Sequence, residues 1–551
     1  MLFAKHRIVL AVFMASACTG TAGTPDDTNY PTDSLATSDI LNDSRAETRT
    51  SDVPGSEDGT AIPIDGTGQE LITSDLAMPE DIFVSPDTLG DVDTTQLQDL
   101  ADDLSDSTAS ADLWWPEVTT EELLDEVDLV EEIVEPAPPQ PSPPCGMAPY
   151  DWLPADAVGE VVAYEEQLLY HLPPVLIEEL IAQYGYALGL PLTYTPRVFK
   201  LRYTTQDRGE LREATAMVGF PDLTAPDSPQ TMEVPAALFL HGTTGYADKC
   251  APSLGLEGAA AAVLPASSGF IAVAPDFLGL CGFGDPCDDQ FHPYLVGEPT
   301  ALASLDAVRA ALKLRDMLVV DHDLPAFDGR LAAWGASQGG HAALFVDRYA
   351  PYYAPEFAMP CVVSVVPPAN LAGEAGKALT SLSSAASMGI AFLTAAHLWY
   401  QPDITLAALF NPDGPLDYSD YIPTTFPTTC NAKTLYKGAK SLADVFVAPA
   451  LEALAGGNLA ALNPWGCFAL ENSLPTTSVP YSSHARLLFV IGENDNLVDR
   501  NVERESFLQL CGQGYVAEFV ECAGLGHTDT ALKSINIQLE WLFECLEDPD
   551  G

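Results

Sequence analysis

In Leu331-Ala332-Ala333-Trp334-Gly335-Ala336-Ser337-Gln338-Gly339, an apolar strand pattern passes directly into a helical pattern that continues over Gly340–Tyr349. The glycines permit a tight strand-to-helix turn that would hold the Ser337 hydroxyl above a sheet. The start of the helix beneath it favours negative charge that develops near this hydroxyl. The pentapeptide is a weak signal by itself, with an ordinary turn as the alternative. Its position between strand and helix favours a nucleophile elbow with Ser337 as the nucleophile.

Short apolar runs and helical segments alternate on both sides of this turn. The other apolar runs are rich in β-branched or small residues and lie at Pro235–Leu240, Phe270–Ala274, Val362–Val366 and Leu487–Ile491. Helical patterns cover Ala301–Leu318 and, earlier in the chain, Ala163–Tyr184. Val198–Thr204 and Ala214–Gly219 predict a hairpin. The alternation predicts an α/β fold, with a mostly parallel sheet and helices on both of its faces.

Composition divides the chain into three parts. Residues 1–18 are typical of a signal peptide. Residues 19–144 are rich in Asp, Ser, Thr and Pro, and they cannot bury enough apolar surface to offset their chain entropy. We expect a disordered acidic tether there, ending in a stiff proline run. Residues 145–551 form the predicted catalytic domain, in which residues 370–483 or thereabouts interrupt the alternation and predict an inserted helical cap.

The N-terminus predicts export. Lys5 and Arg7 precede the apolar run Ile8–Ala15, which is too short to span a bilayer. The small residues that follow fit either a signal-peptidase site or, together with Cys18, a lipobox, although Leu is more usual than Ala at the first lipobox position. The long polar tether after Cys18 favours lipidation of this cysteine. We therefore expect membrane attachment through Cys18, as in a bacterial outer-membrane or cell-surface lipoprotein, with plain secretion as the alternative.

The chain is strongly acidic, with a formal net charge of −56 over 551 residues. The tether alone contains 31 Asp or Glu and only two Arg, and the remainder of the mature chain is acidic as well. Such a chain repels phosphate backbones, which argues against nucleic acid as a partner and favours a neutral substrate. No Cys-x-x-Cys or His-x-x-x-His spacing indicates a metal site, and no protein partner is inferred.

Cysteines other than Cys18 number ten, an even set that is typical of an exported chain with up to five disulfides. Many connectivities are open for ten cysteines. Two of the pairs that we expect would close local loops, and the third would staple the inserted segment. These pairs are Cys281 with Cys287, Cys511 with Cys522, and Cys430 with Cys467.

Chain order narrows the search for a general base, because enzymes with this elbow place the nucleophile first, then an acid, then a histidine. The histidines after Ser337 are His341, His397, His484 and His527. The first lies inside the helix, the second within the predicted cap, and the third before the last apolar strand. His527, in a glycine-rich loop, could accept the Ser337 proton and return it to a leaving alcohol. A surface-loop histidine is the alternative.

The acid should lie just beyond the strand Leu487–Ile491. Asp495 is the best candidate, because it follows the glycine turn by three residues and precedes an apolar pair that can anchor the loop. Its role would be to hold one tautomer of His527 and to stabilise the imidazolium. Glu493 is the second candidate, and Asp499 is better placed to cap a helix.

An oxyanion hole is expected from the loop that follows the strand ending at Leu240. That loop reads His241-Gly242-Thr243-Thr244-Gly245. A backbone N–H from Thr243 or Thr244, together with the backbone N–H of Gln338, would bind the oxyanion. The sequence does not separate the two threonines, and a plain glycine-containing loop is the alternative. For His241 the chain position favours a structural role.

Several of these motifs together resemble the bacterial branch of the secretory lipase family, which is similar to the fungal lipase A type. The stretches that carry the resemblance are His241–Gly245, Cys250–Ser253, Pro275–Leu280, His292–Leu295, Gly335–Ala342 and Gly526–Thr530. The resemblance spans roughly Val198 to Leu546. It implies an α/β-hydrolase core with a helical cap and hydrolysis of carboxylic esters, often acylglycerols, without a cofactor. Ala336 departs from the His or Tyr that the family often has before the serine.

The sequence as a whole predicts a carboxylic ester hydrolase, a lipase or esterase that works through an acyl-enzyme on Ser337. The Ala- and Leu-rich cap favours lipids or aliphatic esters as substrates, with plain core packing as the alternative. A polyester depolymerase or an acyltransferase would share the same residues. A surface-displayed binding protein that has lost catalysis is the alternative from another class.

Overall fold

The computed structural model describes residues 16–17, 137–183, 188–225, 228–229, 231–287 and 290–547. Cys18 and nearly all of the predicted tether lie outside the described residues. No helix among the residues described is long and apolar enough to cross a membrane.

A single mixed sheet forms the centre of the fold. Its strands are β1 (Ser16–Ala17), β2 (Val161–Glu166), β3 (Pro196–Asp207), β4 (Glu210–Pro221), β5 (Glu233–Leu240), β6 (Ile271–Pro275), β7 (Ala326–Ala336), β8 (Ala358–Val365), β9 (Arg486–Gly492) and β10 (Val516–Cys522). They lie in the order β1-β10-β9-β8-β7-β5-β6-β4-β3-β2. The strands from β6 through β5 to β10 pair in parallel, whereas β2, β3, β4 and the two-residue β1 pair antiparallel. The mostly parallel sheet predicted from the apolar runs is confirmed.

Thirteen α-helices are present in the described part of the chain. They are α1 (Pro174–Gln183), α2 (Leu256–Ser267), α3 (Gly297–Leu318), α4 (Gln338–Tyr353), α5 (Leu371–Ala378), α6 (Ser384–Tyr400), α7 (Tyr418–Thr425), α8 (Leu442–Val445), α9 (Ala448–Ala455), α10 (Trp465–Glu471), α11 (Arg500–Gly512), α12 (His527–Lys533) and α13 (Ile535–Glu547). Six of them, α5 to α10, lie between β8 and β9 and build a separate apolar cluster around Trp399 and Phe410.

Helices cover both faces of the sheet because successive strand residues point to opposite sides. Leu331 and Ala333 of β7 belong to the cluster that includes α3 and α4. Ala332, between them, belongs to the opposite cluster, which includes Trp541 and Leu542 of α13. With both faces buried, the parallel strands read as continuous apolar runs, and this explains why their positions could be predicted.

The segment before the hairpin differs from the prediction. The helix predicted over Ala163–Tyr184 is present only in its second half, as α1, and its first part is wrong, since Val161–Glu166 forms the edge strand β2 against β3. The β-branched pair Val161-Val162 fits a strand, and the helix begins only at Pro174, where a proline is tolerated in the first turn. The hairpin prediction is confirmed, with β3 and β4 longer than expected.

Four disulfides are present in the described residues. Cys281–Cys287 is confirmed, and the other three are Cys145–Cys467, Cys250–Cys430 and Cys361–Cys545. The predicted Cys430–Cys467 pair is therefore wrong. The predicted Cys511–Cys522 pair is also wrong, because Cys522 is a free thiol while Cys511 is disulfide-bonded. Closeness in sequence fails as a guide to the other pairs because parallel strands and the insertion bring distant residues together.

Candidate active site

Ser337 lies in a strained turn between β7 and α4. Its φ of 58° and ψ of −119° lie in a region that residues with a side chain rarely adopt. Its N–H donates to the carbonyl of Val365 on the neighbouring strand, at 2.8 Å. The turn requires glycine at 339, since a Cβ there would lie 1.8 Å from the carbonyl oxygen of Leu240. The packing of β5 against the elbow thus explains the second glycine of the pentapeptide.

His527 connects Ser337 to Asp495. Its Nε2 lies 2.8 Å from the Ser337 Oγ, and its Nδ1 lies 2.7 Å from Asp495 Oδ2. His527 is the first residue of α12, while Asp495 lies in the loop after β9. The side chain of Asp495 is 3% exposed and that of His527 is 11% exposed. The three predicted residues therefore come together from the ends of separate elements, within hydrogen-bond distance of one another.

The carboxylate of Asp495 is oriented by its own loop. Its Oδ1 accepts hydrogen bonds from the backbone N–H groups of Leu497 and Val498, at 2.8 and 3.0 Å. The other oxygen, Oδ2, is left to face His527. Each oxygen of the carboxylate therefore has a separate partner, so the ring has one defined acceptor.

The competing acids lie elsewhere. Glu493 accepts a hydrogen bond from the N–H of Gly524 at 2.7 Å and is 3.6 Å from Arg500 Nη1. Asp499 caps α11, as its chain position predicts, by accepting from the N–H groups of Asn501 and Val502. Neither carboxylate has a hydrogen bond to His527 in the described structure.

Three of the other histidines make contacts away from Ser337. His341, one turn along α4, lies 2.9 Å from the carbonyl of Asn472, and burial lowers its pKa to about 4. His241 stacks on Phe277, lies 3.2 Å from the carbonyl of Asp276, and burial likewise lowers its pKa to about 4. His397 stacks on Trp465 in the insertion. Burial lowers the pKa of all three imidazoles, which favours their neutral form.

The loop after β5 lies against the nucleophile. A Cβ on Gly242 would lie 3.9 Å from the Cβ of Ser337. The hydroxyl of Thr243 is 2.9 Å from the hydroxyl of Tyr294, which itself donates to the sulfur of Met388 at 3.4 Å, so Thr243 is the donor of the first bond. Gly242 and Thr243 line the cavity in front of Ser337, and Thr244 does not.

Gln338 is fixed by a histidine that the sequence alone did not single out as functional. His292 Nδ1 lies 3.0 Å from the carbonyl of Leu278, to which it must donate. Burial lowers the pKa of His292 to about 3, so the ring is neutral and its Nε2 is an acceptor. That nitrogen accepts from the Gln338 amide at 2.8 Å. This hydrogen bond fixes the side chain of Gln338. Because Gln338 is the first residue of α4, its backbone N–H has no partner within the helix.

A cavity of about 970 Å³ opens in front of Ser337 and His527. Its walls are almost entirely apolar, and they come from α1, α2, the insertion helices α5, α6 and α9, and α12. A volume of this size is at the upper end for small-molecule sites. The arrangement fits a substrate with a large apolar group next to the reacting carbonyl.

Two buried glutamates near Asp495 were missed by sequence reasoning. Glu374 lines the cavity and accepts from the N–H of Asp499 at 2.9 Å, and burial raises its pKa to about 8. Glu503 on α11 is 1% exposed, and burial followed by repulsion from Glu374 raises its pKa well above the usual range. Both belong to helices with no recognisable motif, so no signal in the sequence could have found them.

The strand order, the elbow after β7 and the helices on both faces define an α/β-hydrolase fold, as predicted. The Secretory lipase family model matches residues 258–391, which confirms the resemblance drawn from the motifs and supports a hydrolase of the lipase and esterase class. That match covers less than half of the chain. No curated protein matches the sequence.

Solved structures with the same fold share little sequence with this chain. The rice cell wall degrading esterase LipA from Xanthomonas oryzae is 17% identical, covers 71% of this chain and 98% of its own, and has a TM-score of 0.56. A putative hydrolase from Legionella pneumophila is 18% identical, with 71% and 99% coverage and a TM-score of 0.58. Lipase A from Candida antarctica is 17% identical, with 71% and 83% coverage and a TM-score of 0.50. At such identities the likeness shows the fold alone.

Proposed function

We propose that this protein hydrolyses carboxylic esters through an acyl-enzyme intermediate on Ser337. The observation that carries the proposal is the continuous hydrogen-bonded chain from Ser337 Oγ through His527 to Asp495, at the mouth of an apolar cavity. The nucleophile and base are within hydrogen-bond reach, and a third group orients the base. These are the geometric requirements for activating a serine.

In the proposed reaction, His527 Nε2 takes the proton from Ser337 as the oxygen attacks the ester carbonyl. Asp495 accepts the Nδ1 proton of His527, holds that tautomer and stabilises the imidazolium. The imidazolium then gives its proton to the leaving alcohol. A water molecule attacks the acyl-enzyme by the same route and regenerates Ser337.

The oxyanion would be bound by the backbone N–H groups of Gln338 and Thr243. Gln338 begins α4, so its N–H has no partner within the helix and lies at the positive end of the helix dipole. Thr243 is favoured over Thr244 because it lines the cavity beside Ser337 and its side chain is fixed by Tyr294. Preorganised donors of this kind stabilise charge that develops in the transition state.

The proposed substrates are neutral esters with aliphatic acyl groups, including lipids. The apolar walls favour an alkyl chain, and the net charge of −56 disfavours anionic substrates. The disulfides fit an exported protein. Attachment to a membrane through lipidated Cys18 remains a prediction.

Hydrolysis of p-nitrophenyl esters from acetyl to palmitoyl by the full-length protein tests the proposal. We expect activity that rises towards longer chains and that is lost in Ser337→Ala and in His527→Ala. His484→Ala is the matched control, because His484 is exposed and precedes the start of β9, whereas Asp495 follows the end of that strand, and it should retain full activity. A folded protein without activity on any ester would overturn the proposal and favour the non-catalytic binding protein.

A further inference from the structure

A buried carboxyl group interrupts the apolar wall of the cavity. Glu374 of α5 lines the cavity, and only 7% of the residue is exposed. Its neighbours on the same helix that also line the cavity are the apolar residues Leu371, Ala375 and Ala378. Glutamate is rarely buried in this way unless it is paired. Packing against an alkyl chain therefore does not explain a carboxyl group at this position.

One oxygen of the Glu374 carboxyl group is free. Oε1 accepts the N–H of Asp499 at 2.9 Å, whereas Oε2 has no hydrogen-bond partner in the part of the chain that the structure describes. Lys377 of the same helix is directed to Asp499 instead, at 3.9 Å. Burial raises the pKa of Glu374 to about 8, and because Oε1 accepts an N–H, the neutral acid carries its proton on Oε2. An O–H group is thus available at the cavity wall.

The other buried polar side chains of the described cavity walls, away from the elbow, find their partners within the protein. The amide of Gln538 accepts from the indole N–H of Trp334 at 2.8 Å and donates to the carbonyl of Ala531 at 3.0 Å. Tyr294 donates its hydroxyl to the sulfur of Met388 at 3.4 Å. Glu374 differs from both, because the partner of its second oxygen has to come from the contents of the cavity.

The contents of the cavity decide the energetic cost of this carboxyl group. Solvent can hydrate Oε2 while the cavity is open. A saturated alkyl chain would displace that solvent and leave a buried polar group unpaired, which is costly. A ligand with a hydroxyl group at this position would restore the hydrogen bond. Sites of this kind discriminate strongly against a ligand that lacks the hydroxyl, because their own polar group is then left without a partner.

The free oxygen lies on the side of the cavity next to the reacting groups. Glu374 contacts Asp499, which follows Asp495 by four residues in the loop after β9. Residues 497–498 of this loop line the cavity. After burial and the charge of Asp499, the charge of Asp495 is a further cause that raises the pKa of Glu374. Because Asp495 is hydrogen-bonded to His527, a group bound at Glu374 lies near the ester bond.

We propose that Glu374 selects esters that carry a free hydroxyl group close to the ester bond, by hydrogen bonding that hydroxyl through Oε2. A hydroxyl group both donates and accepts, so it pairs with the carboxyl group in either protonation state. An ammonium group fits less well, because it would have to leave water for walls that are otherwise almost entirely apolar. The proposal rests on the ester hydrolysis proposed above for its reaction, whereas the binding preference requires no catalysis.

Two pairs of esters test the preference in the full-length protein, by titration of the acid that is released. Methyl 3-hydroxyoctanoate against methyl octanoate tests a hydroxyl on the acyl chain, and 2-hydroxyethyl octanoate against propyl octanoate tests a hydroxyl on the alcohol. We expect kcat/KM to favour the hydroxylated ester by about tenfold or more in at least one pair. Glu374→Leu should bring that ratio to about one, since the plain ester gains and the hydroxylated ester loses. Glu374→Gln, whose amide can accept from Asp499 and donate into the cavity, should retain most of the preference.

Glu503→Gln is the matched control, because Glu503 is a buried acid that does not line the cavity, and it should keep the ratio of the parent. Equal or lower kcat/KM for the hydroxylated ester in both pairs would overturn the proposal, as would a preference that Glu374→Leu keeps. A faster reaction with choline octanoate than with 2-hydroxyethyl octanoate would also overturn it, because the site would then recognise a cation.

Calorimetric binding of the same esters to Ser337→Ala separates this proposal from the proposed hydrolysis. Tighter binding of the hydroxylated ester by that variant would support selection by Glu374 even if the parent hydrolysed no ester. Equal binding within both pairs would overturn the selection even if the parent were an active esterase.

Discussion

Replacing Asp495 with Asn keeps the shape of the side chain but reverses one hydrogen bond. The carboxylate oxygen Oδ1 accepts from the N–H groups of Leu497 and Val498, at 2.8 and 3.0 Å. Only the carbonyl oxygen of an asparagine can replace it, so the NH₂ group must take the position of Oδ2, 2.7 Å from His527 Nδ1. The histidine then has to accept at Nδ1 and carry its proton on Nε2, facing Ser337.

A histidine with its proton on Nε2 cannot take the proton of Ser337. We therefore expect Asp495→Asn to lower kcat on the order of 10⁴-fold, which is the size of effect that a wrong tautomer produces in a serine hydrolase. This corresponds to about 5 kcal/mol of activation free energy. KM should change little, since Asp495 is not among the residues that line the cavity.

Steady-state kinetics on p-nitrophenyl butyrate measures the effect, with thermal unfolding as the check on folding. Glu493→Gln is the matched control, because Glu493 contacts Gly524 rather than His527, and it should keep its activity. Activity of Asp495→Asn within tenfold of the parent would refute the tautomer argument. Loss in Glu493→Gln alone would move the acid to Glu493.

Three further predictions follow from buried contacts. Burial raises the pKa of Glu503, so the folded chain holds a proton that the unfolded chain releases above about pH 4.3. The free energy of unfolding is therefore highest below that pH and falls as the pH rises above it. Glu503→Gln should therefore raise Tm more at pH 9 than at pH 5, and an equal gain at both would contradict it. Tyr294→Phe removes the acceptor of the Thr243 hydroxyl, 2.9 Å away, and should lower kcat about fivefold at unchanged KM, the equivalent of one hydrogen bond of about 1 kcal/mol; unaltered kcat would exclude a positioning role. Gly339→Ala places a Cβ 1.8 Å from the Leu240 carbonyl and should cost about 1–3 kcal/mol in urea unfolding or prevent folding, whereas Gly512→Ala, in open space, should not.

Elements buried on both faces could be predicted from the sequence because their residues are apolar throughout. Strands β6 and β9 are examples. Strand β10 was not predicted, because Glu518 and Glu521 interrupt its apolar residues at the edge of the parallel part of the sheet. The edge strand β2 was taken for a helix because apolar and polar residues do not alternate strictly along it.

The residues of the site likewise divide into those that the sequence pattern predicts and those that it does not. Ser337, Asp495 and His527 could be predicted because fold topology fixes their order along the chain, and the structure brings these three residues within hydrogen-bond distance. The proposal of Thr243 rather than Thr244 for the oxyanion hole rests on the positions of the cavity walls, which the sequence does not give. Glu374 and the disulfide partners depend on contacts between segments more than a hundred residues apart, for example Cys145 with Cys467, and no local pattern contains them.

The loop that carries Thr243 is held by residues made much later in synthesis. Tyr246 donates its N–H to the carbonyl of Thr429, and Cys250 is bonded to Cys430, 180 residues further along. Translation delivers the N-terminal part of a chain first, and folding follows that order where contacts allow. A growing chain that has already formed β5 must therefore wait for residue 430, and then for His527, before its site is complete. Completion of the site thus depends on the synthesis of His527 and on formation of the Cys250–Cys430 disulfide.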